Sequence, residues 1–149
     1  MELKIKKATI DDAGLIAPLF DAYRVFYQQL TNVDAALVFL QERLSNNESV
    51  IFIAFIDGKA VGFTQLYPIF SSVSMSRAYL LNDLYVAEEI RKQGIAQALL
   101  NKAKAYGQKN NAKLLLLQTE ADNYTAQALY EKNGWLKQTD FFYQLALTT

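Results

Sequence analysis

The sequence predicts one α/β domain, a mixed sheet with helices packed on its faces. Two patterns and the composition carry that prediction. The early apolar, strand-like runs are joined by hairpin signals, whereas the later ones are separated by helical patterns. Of the 149 residues 52% are hydrophobic and 13% aromatic. That is ample for a packed core, and a chain of this length buries roughly two-thirds of its unfolded surface. No repeat, low-complexity tract or linker divides the chain, so residues 1–149 read as a single domain.

Leu3 and Ile5 alternate with Lys4 and Lys6, a first strand with one wet face. Thr9 and Asp12 resemble a helix-starting capping pattern, with Asp in place of the usual Glu. Leu15, Ile16, Leu19, Phe20, Tyr23, Phe26 and Tyr27 then make a helix face, in which Gly14 and Pro18 predict a kink or a late start near Pro18. A second helix fits Val33 to Ser45 on Leu37, Leu40 and Leu44, and Asn46-Asn47 suits its end. Val50 to Ile56 is a strongly apolar strand, and Asp57-Gly58 is the strongest hairpin signal in the chain. Ala60 to Leu66 returns as its partner, with Pro68 ending or edging it.

Ser71, Ser72, Ser74 and Ser76 predict a polar loop, and Tyr79 to Val86 the next strand. A helix opens at Gly94 and runs to about Gly107-Gln108. Leu114 to Leu117 is a continuous apolar run of the kind expected of a buried, parallel strand. Asp122 or Asn123 can cap a short helix through Tyr130, which Asn133-Gly134 stops in a left-handed cap. Trp135 to Gln138 and Phe141 to Leu147 predict a closing pair of strands.

Composition narrows the chemistry. Lysines plus arginines balance the acidic residues at 15 each, so the chain has no global electrostatic footprint for nucleic acid. Cysteine and histidine are both absent. That excludes a disulfide framework, a thiolate nucleophile, a Ser-His-Asp triad and histidine- or cysteine-ligated zinc, and no metal is expected. Acid–base work falls to carboxylates, tyrosines, lysines, backbone groups or water. The N-terminus lacks a signal-peptide pattern and no apolar run is long enough to span a bilayer, so no membrane partner and a cytoplasmic location are expected.

The stretch from Leu84 to Leu100 stands out. A strand ends at Leu84-Tyr85-Val86, a charged turn follows, and a helix opens at Gly94 with Ile95, Ala98, Leu99 and Ala103 at helical spacing. The first turn of a helix has N–H groups without intrahelical partners and the positive end of the dipole. A glycine there lets an anion approach the main chain, and Arg91 and Lys92 add charge. Gln93 to Ala96 therefore read as a phosphate cradle; the alternative is a tight strand-to-helix turn and no more.

These residues resemble the GCN5-related N-acetyltransferases. Arg91-Lys92-Gln93-Gly94-Ile95-Ala96 matches that family's Q/R-x-x-G-x-G/A motif, and Asn123, Ala126, Tyr130, Gly134 and Trp135 match a second segment in which Phe is commoner than Trp at the last position. The element order agrees across the chain, and Tyr23-Arg24-x-x-Tyr27 with Gly62 to Pro68 resembles the small free-standing, histone-acetyltransferase-like enzymes.

The resemblance implies a fold and a reaction. The fold is a mostly antiparallel twisted sheet with one parallel, splayed strand pair. The reaction is direct transfer of the acetyl group of acetyl-CoA to a primary amine, either a small molecule or an exposed lysine on a peptide. It further implies that the main chain of Leu84, Tyr85 and Val86 holds the pantetheine arm, that one N–H there polarises the thioester oxygen, and that Gln93, Gly94, Ile95 and Ala96, with Arg91 and Lys92, take the pyrophosphate. Asn123 and Ala126 then belong to the coenzyme site, and Asn123 can also simply cap its helix.

Tyr130 occupies the family's proton-donor position, or packs as an ordinary helix tyrosine. Asp83 occupies the place of the family's carboxylate base, or is a solvated or salt-bridged side chain; Glu120 is a lesser candidate, and the alternative to both is an amine that deprotonates through ordered water with no dedicated base. Tyr23, Tyr27, Tyr67 and Phe70 are aromatic candidates for holding a cationic amine, each also readable as core. A homodimer is expected from the family and from the frequency of symmetric dimers. The competing reading is a non-catalytic acyl-CoA-binding sensor or scaffold with the same fold.

Overall fold

The computed structural model describes residues 2–148. They form two compact units, one up to Gln118 and one from Thr119 onward.

In the first unit, five strands stand in the order β1-β2-β3-β4-β5: Leu3–Lys7, Val50–Ile56, Lys59–Ser71, Ser76–Val86 and Leu115–Leu116. The first four are antiparallel neighbours and the last pair is parallel. Between β1 and β2 come a 3-10 turn (Ile10–Asp12), α1 (Ala13–Phe26) and α2 (Val33–Ser45); a second 3-10 turn (Glu88–Ile90) and α3 (Ile95–Lys109) connect β4 to β5.

Local chemistry sets several boundaries. Asn32 accepts the Ala35 N–H and starts α2, and the Asp57-Gly58 turn, with φ of 48° and 85°, closes the β2–β3 hairpin in two residues. Asp12 accepts the Thr9 N–H at 2.8 Å and the Lys6 ammonium at 2.9 Å, which fixes the entry to α1. Pro18 does not delay that helix: α1 begins at Ala13 and runs through the proline without a break. In the second turn of a helix, proline removes only the bond to the carbonyl four residues back, here that of Gly14.

Strand β3 also runs further than Pro68. It pairs with β2 only as far as Leu66, so from Tyr67 onward it has β4 alone beside it, and a proline lacking its N–H fits on the side without a partner. The serine stretch is accordingly a tight hairpin turn at 72–75, and β4 starts at Ser76. The Leu114 to Leu117 run contributes only two residues to the sheet, half-buried rather than buried.

Helices cover both faces. Ile51, Ile53 and Phe63 pack with Ile16, Phe20, Ala36 and Leu40 of α1 and α2. On the other side, Tyr106 of α3 meets the rings of Phe52 and Tyr79 at centroid distances of 5.6 and 5.5 Å. Strand β4 alternates between the two faces, and one extra residue reverses which positions face which side. Gln65 lies opposite Asp83 and Leu66 opposite Leu81, so Asn82 is an unpaired insertion. Before it, the odd-numbered Tyr79 faces α3; after it, the odd-numbered Tyr85 faces α1, within 6.3 Å of the Tyr23 ring.

In the second unit, α4 spans Tyr124–Lys132, with Asn123 accepting the Ala126 N–H and Gly134 following in a left-handed conformation. No strand forms among residues 135–148, contrary to the closing pair that the alternation predicts. Alternating apolar side chains suit a strand, but a ladder also needs a neighbour, and this unit contains no second strand to supply one.

Candidate active site

Two backbone features lie in tandem on the chain. The first is the end of β4. Its pairing with β5 covers Tyr79 and Leu80 only, so beyond them the strand is paired with β3 on one side and has no strand partner on the other. Leu84, Tyr85 and Val86 all lie in this stretch. It is backed closely: a Cβ on Gly62 of β3 would stand 2.8 Å from the Tyr85 carbonyl oxygen, so only glycine fits there without displacing that main chain.

The second feature is the start of α3. Both α2 and α4 open with an asparagine whose side chain accepts a first-turn N–H, but α3 opens with Gly94, at φ 80°, and has no side-chain cap. A glycine at this position supplies no capping side chain of its own to the first-turn N–H groups. Lys92 is also left-handed, at φ 67°, so two of the three residues before α3 take that conformation. A Cβ on Gly94 would meet nothing within 4 Å, so the approach is open.

Arg91 is more constrained than the sequence implies. Its Nε donates to the Val86 carbonyl at 2.9 Å, and its guanidinium lies 5.5 Å from the Tyr85 ring and 6.0 Å from the Phe26 ring. It ties the helix-opening turn to the end of β4.

Asp83 is neither solvated nor salt-bridged. It is 2% exposed, and among the described residues no lysine or arginine pairs with it. The Asn82 bulge turns it toward the α1 face, where Gln65 Nε2 donates to its Oδ2 at 2.5 Å and Asn82 Nδ2 to its Oδ1 at 2.7 Å. The Tyr23 hydroxyl donates to the Asn82 carbonyl at 3.1 Å and also interacts with the carboxyl. Burial raises the proton affinity of Asp83 above the ordinary carboxylate value, partly offset by the hydrogen bonds from Asn82 and Gln65 and by the nearby Tyr23 hydroxyl. The Tyr23 and Tyr67 phenols are pushed up in turn, first by burial and then by the charge of Asp83.

Of the four aromatic candidates, three share this face. Tyr23 packs edge-on against Tyr27 at 5.1 Å and against Tyr85 at 6.3 Å, and Tyr67 lies two residues along β3 from Gln65. Phe70 does not join them. Alternation places it on the opposite face of β3, 72% exposed, with the Arg77 guanidinium 5.3 Å from its ring. Gln65 is the residue that sequence reasoning overlooks. The Thr64-Gln65 pair inside an otherwise apolar, central strand was its only signal.

In the second unit, Asn123 is occupied as a cap, its side-chain oxygen 3.2 Å from the Ala126 N–H. Tyr130 is half-buried, its ring 6.0 Å from that of Trp135, whose N–H donates to the Tyr130 carbonyl. The Glu120 carbonyl accepts from the Asn123 N–H and from the Gln127 side chain.

Comparison with known proteins agrees with this geometry. Residues 16–135 match the model of the acetyltransferase (GNAT) family. A protein of Bacillus subtilis (strain 168), named as an uncharacterized N-acetyltransferase, YhfO, is 51% identical over 139 residues, which is 93% of each chain. The crystal structure of a probable acetyltransferase superposes with a TM-score of 0.93 at 41% identity, over 98% of this chain and 99% of that one. The aminoglycoside N-acetyltransferase AAC(6')-Iy, solved in complex with CoA, superposes with a TM-score of 0.84 over 99% and 96% of the two chains; at 19% identity that likeness is one of fold.

Proposed function

The chain belongs to the acetyltransferase (GNAT) family, whose members transfer acetyl groups, and from that premise we propose that it moves the acetyl group of acetyl-CoA to a primary amine by direct attack. The observation that carries the proposal is the tandem of a strand end left unpaired on one side, Leu81 to Val86, and a helix that opens on Gly94 without a side-chain cap.

In this reading the main chain of Leu84, Tyr85 and Val86 pairs with the pantetheine arm, and a fixed N–H dipole there favours charge on the thioester oxygen. The N–H groups of Gln93 to Ala96 take the pyrophosphate, with Lys92 and Arg91 as cations. Acetyl-CoA, when bound, supplies the thioester carbonyl carbon that the amine attacks. Asp83 accepts a proton from the attacking nitrogen through water, its raised affinity bringing it nearer to the pH at which an amine can be relieved of one. Tyr130 donates the proton that the departing sulfur needs, and Asn123 and Ala126 belong to the coenzyme site.

Tyr23, Tyr27 and Tyr67 form the wall for the acceptor, and phenols beside a carboxylate suit a cationic amine, on a small molecule or on an exposed lysine. A homodimer acting in the cytoplasm as one acetyltransferase domain completes the proposal; no described helix is long and apolar enough to cross a membrane.

Gly94→Glu tests it. The new carboxylate would stand at the helix start, in a left-handed conformation that costs a non-glycine residue about 1–2 kcal/mol. Acetyl-CoA affinity measured by calorimetry should fall by roughly a hundredfold or more, with the fold retained; unchanged affinity would rule the cradle out. Tyr130→Phe should keep that affinity and lower turnover, read as release of free CoA with a panel of amines. Saturable binding of acetyl-CoA with no CoA release from any amine would favour a sensor over an enzyme.

A further inference from the structure

Gln65 is fully buried, and its two amide ends fare differently. Nε2 donates to Asp83, whereas Oε1 is buried without a hydrogen-bond partner. A buried amide oxygen left unpaired is costly and calls for a reason. The reason lies in what the neighbouring carboxyl does when it takes a proton. An ionised carboxylate only accepts hydrogen bonds, but a protonated one must also donate. A primary amide holds one donor end and one acceptor end on the same planar group, and turning it over exchanges them.

The groups that face Asp83 are Asn82 beside it on β4, Gln65 and Tyr67 from β3, and Tyr23 from α1; the Arg43 guanidinium of α2 acts on Tyr67. None of those facing Asp83 itself is a cation, so its charge is balanced by neutral dipoles alone. Register places Gln65 directly across from Asp83 at the bulge.

We propose that Gln65 is the positioning residue of the proton-accepting step: its amide donates to ionised Asp83 and, turned over, accepts from the protonated acid, so the carboxyl keeps its place through the change of charge. In that step the N–H bond of the attacking amine breaks, an O–H bond forms on Asp83 by way of one water, and the proton returns to solvent after the product leaves. The inference rests on the reading of Asp83 as base.

Gln65→Met, which is similar in size but neither donates nor accepts, tests it in the wild-type and Asp83→Asn backgrounds. Turnover should fall by about tenfold or more with Asp83 present and hardly at all in its absence, with acetyl-CoA affinity unchanged. The acid limb of the pH–rate profile should rise by about one pH unit, because a donor to a charged oxygen contributes more than an acceptor for a neutral acid. Infrared difference spectra, wild type minus Asp83→Asn, follow the same carboxyl without any substrate and should show its midpoint rise equally in Gln65→Met. An unmoved midpoint, or an equal loss of turnover in both backgrounds, would overturn the proposal. Full turnover of Asp83→Asn alone would remove the base assignment, and the proposal with it. Should the wild type acetylate no amine, the reaction itself has been misread, and the infrared midpoint alone decides whether Gln65 holds the carboxyl.

Discussion

Asp21 and Asp83 are both buried carboxylates, 6% and 2% exposed, yet their surroundings push them in opposite directions. Asp21 accepts the Asn32 N–H at 2.7 Å and the Thr31 hydroxyl at 2.5 Å, and these bonds, first the backbone one, hold its proton affinity below the ordinary value. It ties α1 to the start of α2, and Asn32 in turn caps that helix. Asp83 sits between strands, with two side-chain amides for donors, and burial wins. One carboxylate is settled in its charge and serves the fold. The other is held where gaining a proton is easier than for an ordinary carboxylate, as its proposed role requires.

The contrast can be broken by substitution. The largest effect is expected from Asp83→Asn, which should lower turnover by roughly a hundredfold or more while shifting unfolding free energy by under about 1 kcal/mol. Coupled CoA-release kinetics and denaturant unfolding would show the split. Asp21→Ala should do the reverse: about 2–3 kcal/mol lost in urea unfolding, because Thr31 and the Asn32 N–H lose their acceptor, with turnover per folded molecule unchanged. Equal behaviour of the two variants in both assays would erase the distinction.

The smallest effect lies in pH. A carboxyl whose folded affinity is raised favours the native state while protonated and opposes it once ionised. Relative to Asp83→Asn, wild-type stability should therefore hold at and below the ordinary carboxyl value of 3.8 and fall as the pH rises through the folded value. Asp21 has the opposite sign: its contribution is present above 3.8 and is lost on acidification. Melting temperatures of wild type and both variants across pH would resolve the two slopes.

What the sequence reveals follows the range of the forces involved. Strand β2 and helix α2 match expectation residue for residue, because a cap and a two-residue turn are written in neighbouring side chains. The opening of α3 at Gly94 is legible for the same reason. The continuation of β3 beyond Pro68 and the brevity of β5 depend on which strand stands alongside, and the residues involved carry no sign of it. The missing strands after Trp135 are the same lesson in reverse. The motif spacing around Gly94 and Tyr130 suffices to suggest a family, whereas Gln65 acquires meaning only once register sets it opposite Asp83.

The Asn82 bulge has a further consequence, best put as counting. Along β4 the parity of a residue's number tells which helix it meets, and at 82 the rule reverses. What matters there is less the asparagine than the presence of one more residue. Were Asn82 instead to enter the ladder opposite Gln65, every later position would change sides, sending Leu84 to the phenols and Asp83 into the apolar layer beneath α3. Relatives aligned across this strand without regard to the extra residue would be read one side out, with the acid and the leucine trading places on paper.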